Sequence, residues 1–76
     1  MDDGPITTAL AGALQDQNRY VRHDAALTLG KLGPKAKPVV PALTVALKDK
    51  ERSVRKAAVQ ALKKINHKGM PRAEDG

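Results

Sequence analysis

The stretch Val54-Arg55-Lys56-Ala57-Ala58-Val59-Gln60-Ala61-Leu62, continued by Lys63-Lys64-Ile65, decides the fold. Val54, Ala57, Ala58, Ala61, Leu62 and Ile65 recur at helical spacing as one broad apolar stripe, while Lys56, Gln60 and Lys63 fall opposite. The spacing predicts a helix over about 51–66. A shift of 33 residues toward the N-terminus finds the pattern again, with Val21-Arg22, Ala25 and Leu29 in the places of Val54-Arg55, Ala58 and Leu62. The same shift aligns Pro5 with Pro38, Ala9-Leu10 with Ala42-Leu43, Ala13-Leu14 with Ala46-Leu47, Asp16 with Asp49, Arg19 with Arg52 and Lys31 with Lys64. A unit of this period cannot bury its apolar face alone and stacks on its neighbour. The expected fold is all-α: two stacked antiparallel helical hairpins forming a short α-solenoid.

The remaining elements follow from spacing and punctuation. Ile6, Leu10, Ala13 and Leu14 predict a helix over 6–15, with Pro5 suited to its first turn. Asn18 or Asp16 can cap a second helix over about 19–32, carried by Val21, Ala25, Leu29 and Leu32. Gly33-Pro34 ends it, glycine by tolerating a positive φ and proline by refusing continuation. A third helix is expected over about 38–48, where Pro41 marks the true start or kinks an early turn. Ser53 is expected to cap the fourth helix. The division is then an N-terminal tail (1–4), repeat 1 (5–33), repeat 2 (34–66) and a disordered C-terminal tail (67–76).

Composition narrows the role. The 76 residues form one small domain without cysteine, so disulfides and thiolate metal sites are excluded. Charges or prolines interrupt every apolar stretch, and the acidic N-terminus is unlike a secretory leader, so a cytoplasmic protein with no membrane span is expected. The formal charge is +6 and unevenly placed. Residues 1–30 set Arg19 and Arg22 against Asp2, Asp3, Asp16 and Asp24, a net of −2, whereas residues 31–72 set twelve Lys and Arg against Asp49 and Glu51, a net of +10. Such polarity attracts an acidic surface or a phosphate backbone.

The units Val21-Arg22-His23-Asp24-Ala25-Ala26-Leu27-Thr28-Leu29-Gly30-Lys31-Leu32-Gly33, Pro41-Ala42-Leu43-Thr44-Val45-Ala46-Leu47-Lys48-Asp49 and Val54 to Leu62 resemble HEAT-like repeats, of the short alanine-rich kind also seen in phycobilisome-lyase-like proteins. The resemblance covers residues 5–66. It implies that Asp16, Arg22, Asp49 and Arg55 form a structural ladder between repeats, and that the second helix of each pair lines a concave binding face. Independently, an aspartate near a helix start accepts backbone N–H groups, and arginine can reach it with a charge-assisted bond. Asp24 and Thr28 stand where the second unit has Ala57 and Ala61, a polar edge suited to a terminal repeat.

Candidate partner-binding residues are Arg19, His23, Leu27, Arg52, Lys56, Lys63 and Lys64. Leu27 is an exposed apolar contact or merely a helix former, and a lysine cluster is most often a solvated surface. No catalytic, cofactor-binding or metal-binding residues are expected. His23 and His67 lie 44 positions apart, and helix geometry does not place His23 and Asp24 on one face. The leading expectation is a non-enzymatic module for protein–protein interaction or scaffolding. Electrostatic nucleic-acid binding is the alternative, although no aromatic platform or zinc pattern supports it. A fragment or accessory subunit of a HEAT-repeat lyase or DNA-repair enzyme is suggested by the resemblance alone. The close-packing alanines Ala57, Ala58 and Ala61 also raise a homodimer through the terminal repeat edge, against a marginally stable monomer or a piece of a longer array.

Overall fold

The structure, a computed structural model, describes residues 4–66. Four α-helices follow one another: α1 (Gly4–Ala13), α2 (Arg19–Leu32), α3 (Val40–Ala46) and α4 (Arg52–Ile65), with a 3-10 helix at Gly33–Val39 between α2 and α3. No strand occurs among the described residues. The expected C-terminal tail and His67 lie outside them, as does most of the expected N-terminal tail. Gly4 already belongs to α1, which ends at Ala13, short of the expected 15.

Local chemistry sets the boundaries. Asn18 caps α2, its side chain accepting the Tyr20 amide at 2.8 Å, and Asp16 Oδ1 accepts the Asn18 amide at 2.8 Å. Gly33 stops α2 with φ +62°, a conformation that costs a residue bearing Cβ, and its amide returns to the Gly30 carbonyl. The expected helix over 38–48 is corrected here. Pro34 and Pro38 supply no amide for an α-helical ladder, so Gly33–Val39 winds as a 3-10 helix with Pro38 inside it. Pro41 then sits in the first turn of α3 and marks its true start. Ser53 does not cap α4. Glu51 holds the N-cap position, and Asp49 Oδ1 accepts the Glu51 amide at 2.8 Å.

The helices form a slab of 39 × 32 × 16 Å. Its most extensive helix contact is between α2 and α4. Ala25, Ala26 and Leu29 of α2 join Val54, Ala57, Ala58, Ala61 and Ile65 of α4, with Leu14, Ala36, Leu43 and Ala46 completing the core. Small side chains let the two helices approach closely: a Cβ added to Gly30 would lie 3.0 Å from Ala61 Cα. Identical residues at equivalent repeat positions nevertheless differ in burial. Val54 is inaccessible while Val21 is 38 % exposed, and Leu29 is inaccessible while Leu62 is only partly covered. The buried stripes lie where α2 and α4 pack on each other, and the open ones face away.

Candidate partner-binding site

At the turns that precede α2 and α4, one guanidinium organises several polar groups. Arg22 Nε donates to Asp49 Oδ2 at 2.8 Å and Nη2 donates to Asp49 Oδ1 at 3.2 Å. Its Nη1 donates to the carbonyls of Asp16 and Gln17 at 2.7 and 3.0 Å. Both ionic side chains are nearly enclosed, 8 % and 11 % exposed. Burial alone would raise the Asp49 carboxyl, but the Glu51 amide and the Arg22 guanidinium outweigh it and hold the group below its ordinary value. The expected four-residue ladder thus has one carboxylate–guanidinium rung. Arg55 reaches Asp49 at its carbonyl, through Nη1 at 2.7 Å, and the Asp16 carboxylate bonds the Asn18 amide and, among the described residues, no arginine.

Arg19 lies beside this rung on the outside. It bridges to Glu51 at 3.4 Å, donates to the Tyr20 hydroxyl at 3.3 Å, and stands 5.2 Å from the Tyr20 ring centroid. The Tyr20 hydroxyl foremost, with Glu51 behind it, favours the charged form of Arg19. Arg52 opens α4 and is exposed.

Between α2 and α4 runs an open depression of about 310 Å³ lined by His23, Leu27, Ser53, Lys56, Ala57 and Gln60. Its position follows from the helical period: His23 and Leu27 are one turn apart on α2, and Ser53, Lys56 or Ala57, and Gln60 succeed one another on α4. Leu27 and Ala57 give it an apolar surface, while His23, Ser53, Lys56 and Gln60 supply polar groups. The expected residues His23, Leu27 and Lys56 are brought together here. Arg19, Arg52, Lys63 and Lys64 are not among its lining. The Lys64 stem lies instead against α2, 3.5 Å from where a Gly30 Cβ would be.

Ser53 was legible only as a capping candidate, and only an alignment of α4 against α2 could have marked it as groove-lining. His23 Nδ1 and Asp24 Oδ1 approach to 3.7 Å as sequence neighbours, at a largely exposed carboxylate. Among the described residues, no three His, Cys, Asp or Glu side chains gather as a metal would require. No helix among them is long and apolar enough to cross a membrane.

Fold and groove together define a small all-α helical-repeat module. The chain belongs to the HEAT repeat family, whose profile matches residues 6–75. No curated protein and no solved structure matches it significantly.

Proposed function

We propose that this chain is a protein-interaction module built as two stacked helical hairpins, repeat 1 over 5–33 and repeat 2 over 34–66, in a short α-solenoid. Its partner lies in the depression between α2 and α4. The observation that carries this reading is the lining itself: an exposed Leu27 beside Ala57, ringed by His23, Lys56, Gln60 and Ser53. An apolar anchor bordered by convergent polar groups suits a peptide or helix bearing a hydrophobic side chain next to a carboxylate. Arg22 and Asp49 serve to fix the angle between the helices that form the groove. The absence of cysteine and of a membrane-crossing helix among the described residues is compatible with a cytoplasmic setting.

The test is a titration of the labelled chain by NMR with acidic, hydrophobic-anchored peptides. Shifts centred on Leu27, Lys56 and Gln60 support the reading; shifts centred on α1 and α3 overturn it. The net charge of +6 motivates a second reading, nucleic-acid binding through phosphates. A duplex added to the same sample separates the two, because phosphate contacts would spread over lysines outside the groove and weaken steeply with salt.

A further inference from the structure

The two ends of the slab carry complementary halves of the Arg22–Asp49 rung. At one end, Asp16 stands in the repeat position of Asp49. Its Oδ1 is held by the Asn18 amide at 2.8 Å, as Asp49 Oδ1 is held by the Glu51 amide at 2.8 Å. At the other end, Arg55 stands in the position of Arg22. Its Nη1 is engaged by the Asp49 carbonyl at 2.7 Å, as Arg22 Nη1 is engaged by the Asp16 carbonyl at 2.7 Å. The Arg22 edge formed by Nε and Nη2 takes a carboxylate; the same edge of Arg55 takes none among the described residues.

The apolar surfaces follow the same register. Val59 (40 % exposed) and Leu62 occupy the positions of Ala26 and Leu29, which are buried within the chain. Val21, Asp24 and Thr28 occupy those of Val54, Ala57 and Ala61. We infer that copies of this chain associate head to tail, Arg55 of one copy taking the Asp16 carboxylate of the next as Arg22 takes Asp49. The acidic balance of residues 1–30 and the basic balance of residues 31–72 favour this polarity over a symmetric pairing.

The junction is not a perfect continuation of the internal one. Lys63 replaces Gly30, and Thr28 replaces the Ala61 that Gly30 touches, so the helices stand farther apart across it. Asp24, one turn from Thr28, is positioned to receive the Lys63 ammonium. Such an interface is more polar than the core and is weakened by salt. Because it is heterologous, every added copy leaves an unused half at each end of the stack, and the assembly lengthens with concentration until its two ends meet in a ring.

Analytical ultracentrifugation of the full chain, across concentration and salt, tests this. The weight-average mass should rise continuously with concentration at about 0.05 M salt and fall back toward the monomer at about 0.5 M. Asp16→Arg and Arg55→Asp should each weaken association at least about tenfold by opposing like charges. An equimolar mixture of the two restores the native pair at one junction and sets the reversed charges against each other at the next, so association should recover. Val59→Glu, at an exposed position, should abolish association while leaving the helical circular dichroism unchanged. A monomer at all concentrations overturns the inference, as would a mass that stops at a dimer or a mixture that fails to associate. None of these outcomes bears on the groove, which lies on a different face.

Discussion

Arg22 and Asp49, 27 residues apart, meet through two hydrogen bonds of 2.8 and 3.2 Å. The contact ties the turn before α2 to the turn before α4, because Arg22 also bonds the carbonyls of Asp16 and Gln17 while Asp49 caps the Glu51 amide. Removing Arg22 leaves the enclosed Asp49 carboxylate with the Glu51 amide alone and takes this donor from two carbonyls. Arg22→Ala is expected to destabilise by about 2–3 kcal/mol, the scale of hydrogen bonds to charged groups. Urea unfolding monitored by circular dichroism measures it, and a loss below about 0.5 kcal/mol would show the rung to be ornamental.

The same pair sets a pH dependence. The folded-state pKa of Asp49 lies below its unfolded value, despite burial, because the Glu51 amide and Arg22 favour the carboxylate. Its contribution is therefore fully present above the unfolded value of about 3.9 and is lost as pH falls through the depressed folded value. Asp49→Asn should flatten the acid limb of a stability–pH curve. The wild-type and variant curves should begin to draw together below about pH 4 and meet only below the depressed folded value.

Gly30 faces the α4 backbone, whereas Lys63, at the same place in the second unit, is exposed. Gly30→Leu should cost about 1–3 kcal/mol by overpacking. Lys63→Leu should stay within about 0.5 kcal/mol. Equal effects in thermal melts would contradict the close approach of α2 and α4.

Gly33 has room for a Cβ, with nothing within 4 Å, yet its φ of +62° excludes ordinary side chains. Gly33→Ala should lose about 1–3 kcal/mol from backbone conformation alone. A synthetic chain carrying D-alanine at this position should retain stability, which separates conformation from crowding.

Leu27 and Lys56 are exposed in the groove. Leu27→Asp and Lys56→Glu should leave the unfolding midpoint nearly unchanged, within about 0.5 kcal/mol. Both should abolish the peptide-induced NMR shifts. Binding that survives both changes would move the partner off this face.

Much of the architecture was readable in the residue pattern, and the exceptions have physical causes. The limits of α2 follow from Asn18 and Gly33, whose chemistry is local. The 3-10 helix was missed because Pro38 suits a first helical turn on its own; the joint effect of Pro34, Pro38 and Pro41 on the hydrogen-bond ladder is less visible. Val21 and Val54 share a context in sequence yet differ in burial. Burial depends on which neighbour covers the stripe, and α4 covers the opposite side of α2. The groove residues His23, Leu27 and Lys56 could be found from the repeat register. Lys64, expected beside them, stands outside the groove, with its stem leaning on a glycine of another helix.

Tyr20, the sole aromatic side chain, is 65 % exposed on the first turn of α2 beside Arg19 and Glu51. It gives the molecule a single built-in optical reporter. Its emission can follow events at that corner of the slab without a dye, free of any competing signal from tryptophan or a second tyrosine.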